Sequence, residues 1–334
     1  MDIKMLTSTT FVASLRSLMV GIALAALPAF GSATAQTTDW PTRAVTVIVP
    51  FAPGGNTDIM ARLASQRLAE EFKHPFVVEN RVGAGGAIAA GYVAQAAPDG
   101  YTLFFAASPQ IAVVPFIQKV NYDPIKDFTP VTVFGTSPFI LAISSDIPAK
   151  TIAEFVSYAK SRKINYGSGG TGSVGHLSGA LFVSRAGLDA VHIPFRGGAP
   201  AMTALLGGQV DMYFGNAADI LPHVESGKAR IIGVATDQRM SQLPDVATVS
   251  ETYPNFSLSA WNGFLVASKT PKAIVDKLAQ HASAAAKDPS VIAQLTKLGI
   301  QPNGTTPAEM AAQIVREQPQ YDIAIKAADM KPAQ

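Results

Sequence analysis

The sequence contains no cysteine and few charged residues. None of its 334 residues is Cys, and Asp, Glu, Lys and Arg together make up 15%. The absence of cysteine excludes a disulfide-stapled scaffold, a thiolate metal site and a thiol nucleophile. Because 48% of the residues are hydrophobic, an intrinsically disordered chain is also excluded, and one or two domains with a large core are expected.

A strong net charge is also lacking. The formal net charge is +2, and the chain has no run of Lys and Arg and no basic helix. Nucleic-acid binders need a basic surface, so we expect no nucleic-acid partner. After residue 36, no apolar stretch approaches the about 18 residues that a membrane-spanning helix needs. We therefore expect this part of the chain to be soluble.

Motifs for metal and nucleotide chemistry are scarce. The five histidines show no zinc-ligand spacing. Gly227-Lys228 is followed by Ala229 rather than by the Ser or Thr of a Walker A motif. No pair of carboxylates stands out as a general acid and base. The sequence therefore predicts a binding protein more strongly than an enzyme, with no metal.

The first 35 residues have the pattern of a secretory signal. Lys4 and Arg16 supply positive charge, and Ser17–Phe30 is an apolar core too short to span a bilayer. Ala33-Thr34-Ala35 fits the small-residue rule for cleavage. We predict a signal peptide over residues 1–35, cleavage after Ala35 and a periplasmic location. An uncleaved anchor helix is the alternative.

Short apolar runs alternate with helical periods, which is typical of an α/β protein. Val45–Val49 is a β-branched run that predicts a buried strand, and Met60, Ala64 and Leu68 lie on one ridge of the helix that follows. Further along, residues 128–134 and 139–144 are expected to form two separate extended pieces. The strand–helix pattern then restarts, and three helices end the chain.

This order predicts two lobes with a hinge and an interlobe cleft. The chain is expected to cross between the lobes twice, near residues 135–141 and 258–264. Lobe one would comprise residues 37–138 plus 258–334, and lobe two residues 139–257. A cleft between two hinged lobes is a common place for a small ligand.

Three glycine-rich loops each follow a predicted strand and begin a helix: loop A (residues 53–58), loop B (83–86) and loop C (167–175). In open parallel sheets, ligands bind at the carboxyl ends of strands, and N–H groups at a helix start attract anions. We therefore predict that loops A and C face a ligand cleft. For any single loop, a tight turn without a ligand is the alternative.

Asp58 is the difficulty with an anion at loop A. A carboxylate within about 5 Å of a bound anion would repel it. Asp58 could instead cap its own helix, a role open also to Asn56 and Thr57. It could otherwise bind an amino group or hydroxyl of the ligand.

Two enzymatic interpretations stay open at this point. Gly167, Gly169 and Gly172 match the G-x-G-x-x-G dinucleotide fingerprint. An exported protein would lose a diffusible dinucleotide, so we expect no cofactor. Ser173 and His176 could serve a secreted serine hydrolase, although Thr171 stands where the G-x-S-x-G elbow requires glycine.

Taken together, the motifs resemble those of a known family. They follow in order along the whole chain after the leader: Trp40-Pro41, Val49–Asp58, Glu79–Gly86, Pro98–Leu103, Asn165–His176, Pro194–Gly197 and Leu206–Asp211. The chain resembles the periplasmic solute receptors of tripartite tricarboxylate transporters, the Bug-type receptors. The resemblance implies an α/β, two-lobed type II periplasmic binding protein fold, which closes on a small carboxylate such as a dicarboxylate, an amino acid or an aromatic acid.

The resemblance also implies a set of ligand-binding residues and partners. The carboxylate would be held through backbone amides and ordered waters at Gly54, Gly55, Asn56, Ser168, Gly169, Thr171 and Gly172, and Asp58, Ser108, His176 and Phe195 would complete the site. A large and a small integral-membrane subunit would receive the ligand from a monomeric receptor. A sensory receptor that presents its ligand to a membrane kinase would share the same fold.

Overall fold

Within the computed structural model, the described residues 39–224 and 226–330 form a ten-stranded mixed sheet flanked by helices. The predicted signal peptide, residues 1–35, and its cleavage after Ala35 lie outside the described residues. Along the described chain, no helix is both long enough and apolar enough to cross a membrane.

The first part of the chain alternates strands and helices, as its apolar periodicity predicts. A short 3-10 turn at Ala84–Gly86 precedes the second helix. The elements are β1 (Val45–Val49), α1 (Asn56–Phe72), β2 (Phe76–Asn80), α2 (Ala87–Ala94), β3 (Thr102–Ala107), α3 (Pro109–Ala112), α4 (Val114–Ile117) and β4 (Phe128–Ser144).

The second part repeats the alternation and then ends in helices. A 3-10 turn at Val249–Glu251 precedes the last long strand. The elements are α5 (Ile152–Lys160), β5 (Ile164–Ser168), α6 (Val174–Ala186), β6 (Ala190–Pro194), α7 (Gly198–Leu206), β7 (Met212–Asn216), α8 (Ala217–Val224), β8 (Ala229–Val234), β9 (Ser259–Ala267), α9 (Lys272–Ala286), α10 (Pro289–Lys297), β10 (Gln301–Pro302) and α11 (Pro307–Ala327).

The sheet has two parts that share strand β4. The first half-sheet has the strand order β2-β1-β3-β9-β4, with β10 added on β4. The second half-sheet continues from the end of β4 through β7, β5 and β6, with β8 also on β4. This arrangement confirms the α/β fold class. The limits of the two lobes within the chain stay a prediction.

Strand β1 is β-branched throughout and mostly apolar. It pairs in parallel with β2 on one side and β3 on the other. Val47 packs into the core on one face of the sheet, and Ile48 packs into the core on the other face. A strand covered on both faces takes apolar side chains at most positions, and in β1 only the half-buried Thr46 is polar.

Strand β4 differs from the expected pair of extended pieces. It runs without a break from Phe128 to Ser144. Its first part pairs with β9, and its last part pairs with β7 and β8. Its register with β9 is irregular between Pro130 and Thr132 and between Val133 and Gly135, and the change of partner falls later, between Pro138 and Phe139. The predicted break at residues 135–138 was therefore wrong.

The last helix packs on both half-sheets. Met310 of α11 lies in the core beside Ile48, whereas Tyr321 lies in the core beside Leu177 of the second half. The hydroxyl of Tyr321 also donates to Ser108 Oγ at 2.6 Å. The C-terminal helix thus connects the two cores along one side of the molecule.

We expect Gly263→Ala to destabilise the fold. Gly263 lies on β9, where an added Cβ would collide with the Thr132 carbonyl oxygen and lie 2.9 Å from Val133 Cα. Backbone atoms cannot move aside like a side chain, so the free energy of unfolding should fall by about 1–3 kcal/mol. Urea denaturation measures this change.

The matched control is Gly207→Ala. Gly207 has φ −88°, and an added Cβ there would meet its nearest neighbour, the Thr203 carbonyl oxygen, at 3.4 Å. The control should change the free energy of unfolding by no more than about 0.5 kcal/mol. Equal effects of the two substitutions would contradict the close packing of β9 against β4.

Candidate functional site

A cavity lies between the loops at the strand ends of the two half-sheets. Its empty volume is about 500 Å³, and this volume includes solvent space at the open mouth. The first half contributes residues around the start of α1 and the β9 residue Asn262. The second half contributes residues at the starts of α6, α7 and α8. A concave site at the carboxyl ends of strands is the usual place for a ligand in an α/β fold.

Several helices begin at this cavity. α1 begins after Gly55, α6 after Ser173 and α7 after Gly197, and residues from all three starts line the wall. No side chain caps α1 or α7. The N–H groups at a helix start carry partial positive charge. The wall therefore favours a negative group without using a cation.

Asp219, in the first turn of α8, is one such negative group, and it belongs to the protein itself. Its carboxylate accepts the Asn56 N–H at 2.9 Å, from the opposite side of the cavity. The Tyr213 hydroxyl at 3.3 Å and Asn216 Nδ2 at 3.4 Å also donate to it. An added Cβ at Gly198 would collide with this carboxylate, so the start of α7 needs glycine there.

The Asp219 carboxylate has no cationic partner. No Lys, Arg or His is among the described residues that line the cavity. Burial raises the pKa of Asp219 from 3.8 to about 6, although the hydrogen bonds from Asn56, Asn216 and Tyr213 oppose this shift. The site thus holds a buried carboxylate that is stabilised only by neutral donors.

Each of three side-chain amides at the cavity has one polar atom without a hydrogen-bond partner. Asn56 Oδ1 accepts from Ser137 Oγ at 3.1 Å, and Asn262 Oδ1 accepts from Thr57 Oγ1 at 2.8 Å. Both Nδ2 atoms are buried without a partner, and so is Asn216 Oδ1. Unsatisfied buried polar atoms are rare in proteins. Their presence at one cavity points to a ligand that would complete them.

Asp58 holds loop A in shape. Its carboxylate accepts the Gly54 N–H at 2.9 Å, Arg62 Nε at 2.9 Å and Asn80 Nδ2 at 2.8 Å. Burial alone would raise the pKa of Asp58, but the hydrogen bonds from Arg62, Gly54 and Asn80 lower it overall. The N-cap of α1 is Gly55, so the expectation that Asn56, Thr57 or Asp58 caps this helix was wrong.

Loop C is fixed by a stacked histidine pair. The rings of His176 and His192 lie 3.6 Å apart and nearly parallel. Burial lowers the pKa of His176 to about 3 and that of His192 to about 4, so both rings are neutral near pH 7. His176 Nδ1 accepts the Gly172 N–H at 3.1 Å, and His192 Nε2 lies 2.7 Å from Ser168 Oγ.

Ser173 lines the cavity, but its contacts are those of a helix cap. Its Oγ accepts the backbone N–H of His176 at 3.2 Å, and it is the N-cap residue of α6. Because His176 Nδ1 is occupied by the Gly172 N–H, that nitrogen does not activate Ser173 as a general base.

The structure brings only part of the predicted site to the cavity. Gly55, Asn56 and Gly169 line it. Thr171 and Phe195 line a separate cleft beside loop B. The remaining predicted residues act in the described contacts or beside the wall: Gly54, Asp58, Ser108, Ser168, Gly172 and His176.

Three polar lining residues were not predicted. Asn216 ends strand β7 and Asp219 lies in the first turn of α8, in the same strand-to-helix position as loops A and C. That position could have indicated them, although the segment lacks the paired glycines that drew attention to the other loops. Asn262 lies inside β9, and no sequence signal separates it from its neighbours.

Comparisons with known proteins agree on one family. The family model described as "Tripartite tricarboxylate transporter family receptor" matches residues 60–329. A protein from Pseudomonas sp. (strain P51), described as "UPF0065 protein in tcbD-tcbE intergenic region", is 33% identical over 301 residues, which are 89% of this chain and 89% of that protein.

Solved structures give the same result. The R. palustris protein Rpa4515 with adipate has a TM-score of 0.85 and 33% identity, covering 88% of this chain and all of that one. MatC from Rhodopseudomonas palustris with bound malate has a TM-score of 0.80 and 36% identity, covering 86% of this chain and all of that one. This likeness confirms the two-lobed type II periplasmic binding protein fold.

We expect Asp219→Asn to stabilise the ligand-free protein near neutral pH. A carboxyl whose pKa is raised by folding opposes folding once it is ionised, so the penalty is absent well below pH 3.8 and complete above about pH 6. The difference between these two pKa values corresponds to about 3 kcal/mol. Asparagine keeps the size of the side chain and removes this penalty.

Urea denaturation at pH 7.5 and at pH 4.5 tests this expectation. The gain in the free energy of unfolding should be largest at pH 7.5 and should shrink at pH 4.5. Asp276→Asn is the control, because Asp276 is exposed and pairs with Lys272 at the surface. A loss of stability at pH 7.5 in Asp219→Asn would show that the carboxylate is not an unpaired charge.

Proposed function

Since the chain belongs to the family of tripartite tricarboxylate transporter receptors, and is thus a periplasmic solute receptor, we propose that it captures a small carboxylate in the cavity between its half-sheets and delivers it to the membrane transporter. The receiving partner would be a large and a small integral-membrane subunit. A signal peptide over residues 1–35 would direct export to the periplasm and would be cleaved after Ala35.

One observation carries the carboxylate proposal. The Nδ2 groups of Asn56 and Asn262 are buried, unpartnered and on the cavity wall of the first half. Each is a free donor beside the start of α1, where the helix dipole adds partial positive charge. A carboxylate oxygen is the natural acceptor for such a pair. Two solved relatives with similar folds hold adipate and malate, which are both carboxylates.

We propose that the predicted residues divide into two roles. Gly55, Asn56 and Gly169 would contact the ligand directly, because they line the cavity. Gly54, Ser168, Thr171 and Gly172 would keep loops A and C in position, together with Asp58 and His176. Ser108 and Phe195 would support the strand ends beside them.

We propose binding without catalysis. Ser173 caps its helix, and among the described hydrogen bonds the neutral ring of His176 accepts none from the Ser173 hydroxyl. Because no Lys, Arg or His is among the described lining residues, several hydrogen bonds from neutral groups rather than an ion pair would hold the ligand's carboxylate.

Asn262→Asp should weaken carboxylate binding. The substitution keeps an oxygen for the Thr57 hydroxyl and replaces the free NH₂ group by a negative oxygen. Repulsion of the ligand's carboxylate should reduce its affinity at least about tenfold, a change of about 1.4 kcal/mol. Calorimetry with the tightest binder among succinate, malate, adipate, aspartate and benzoate measures this.

The matched control is Asn303→Asp. Asn303 Oδ1 likewise accepts a threonine hydroxyl, that of Thr136 at 2.8 Å, but Asn303 is not among the lining residues. Its variant should bind as the parent does. Failure of the parent to bind any carboxylate of the panel, after removal of bound ligand, would refute the proposed function.

Binding should also draw the two halves together. The Ala52 N–H donates to the Arg196 carbonyl at 2.9 Å, and the Asn56 N–H donates to Asp219, so both contacts join residues on opposite sides of the cavity. We expect a smaller radius of gyration in X-ray scattering when ligand is present. The Asn262→Asp variant at the same ligand concentration should show less change. An identical radius for free and saturated protein would contradict a hinge.

A further inference from the structure

Resting on the proposed function, we infer that the ligand is an amino acid, whose protonated amino group is bound by Asp219 and Asn216 on the second half while its carboxylate is bound on the first half. This assigns a specificity role to two residues outside the predicted site. It also narrows the substrate from carboxylates in general to molecules that carry both groups.

The polarity of the cavity is divided between its two walls. On the first half, the free polar groups are donors, Asn56 Nδ2 and Asn262 Nδ2. On the second half, they are acceptors, Asn216 Oδ1 and the Asp219 carboxylate. A ligand that fits this arrangement needs an acceptor group at one end and a donor group at the other. An amino acid has both within a short distance.

Asp219 can exchange a long contact for one to an ammonium group. The Asn56 N–H donates to its carboxylate at 2.9 Å and the Asn216 N–H also contributes, whereas the contacts from the Tyr213 hydroxyl and Asn216 Nδ2 are long, at 3.3 and 3.4 Å. A charge-assisted hydrogen bond is shorter and stronger than such a contact. Asn216 Oδ1 offers further positions next to it. An ammonium group presents three N–H donors, and these two side chains could accept two of them.

Charge balance favours the same conclusion. Asp58 is as deeply buried as Asp219 but pairs with Arg62, and its pKa is lowered. Asp219 has no such partner, and its pKa is raised by burial. A buried carboxylate without a counter-ion is costly. A cationic group on the ligand would supply the missing charge when the halves close.

A second carboxylate on the ligand would be poorly placed beside Asp219. Two negative groups a few ångströms apart repel each other strongly where water is excluded. A dicarboxylate could bind there only if one of the carboxyls took up a proton. Asp219 should therefore discriminate against ligands whose second end is acidic.

The test uses pairs of ligands that differ only in the amino group. These are leucine and 4-methylpentanoate, phenylalanine and 3-phenylpropanoate, and aspartate and succinate. Calorimetry at pH 7.5 on ligand-stripped protein gives both affinities for each pair. In at least one pair, the amino acid should bind at least about tenfold more tightly than its partner, as expected for a charge-assisted hydrogen bond.

Asp219→Asn then identifies the group responsible. The variant keeps an acceptor for the Asn56 N–H but loses the charge, so it should fold. It should bind the preferred amino acid at least about tenfold more weakly and the matching acid within about threefold of the parent. Asn216→Ser removes the free amide oxygen and should weaken binding of the amino acid by a smaller factor. Asp276→Asn should change neither affinity.

The outcomes separate this inference from the proposed function. If at least one of the three acids binds and no amino acid binds more tightly than its matching acid, the inference is overturned and the carboxylate receptor stands. The inference would also be overturned if Asp219→Asn weakened binding of an amino acid and of its matching acid equally, because such a result indicates a structural role of Asp219. If none of the six compounds binds, the inference is overturned as well. The panel of five carboxylates described above then tests the proposed function independently.

Discussion

The hydrogen bond from the Asn56 N–H to the Asp219 carboxylate crosses the cavity and joins the two halves of the molecule. It is made by a buried charge without a cation, so the surrounding backbone must supply the compensation. Helix starts at Asn56 and Gly198 face the carboxylate, and Gly198 has no Cβ because the carboxylate occupies that space. Together with the hydrogen bond from the Ala52 N–H to the Arg196 carbonyl, this contact sets how the two halves face each other across the cavity.

Ionic and neutral contacts have separate places in the structure. Asp58 and Arg62 form an ion pair behind loop A and fix its shape. The cavity is lined by amides, hydroxyls, helix starts and the Asp219 carboxylate, and no cation lies among its described lining residues. The ion pair therefore fixes a loop behind the cavity, whereas the carboxylate that faces the cavity has no counter-ion among the described residues.

The long strand β4 explains how the halves can share one hinge. Its first part belongs to one half-sheet and its last part to the other, and β9 runs beside it where the two meet. The change of partner falls between Pro138 and Phe139, within one continuous strand. Helix α11 adds a second connection, because it reaches both cores.

The sequence alone determined the α/β class, the positions of the main strands and helices, and loops A and C. Unbroken apolar runs and glycines after strands are local signals, and the ordered motifs identified the family. The tertiary structure decided that β4 is continuous, that Asn80 donates to Asp58, and that Asn216, Asp219 and Asn262 meet at one cavity. The continuity of β4 depends on its partner strands β7, β8 and β9, and the other two features join residues far apart in the chain. A sequence pattern carries no information on which distant side chains share a buried space.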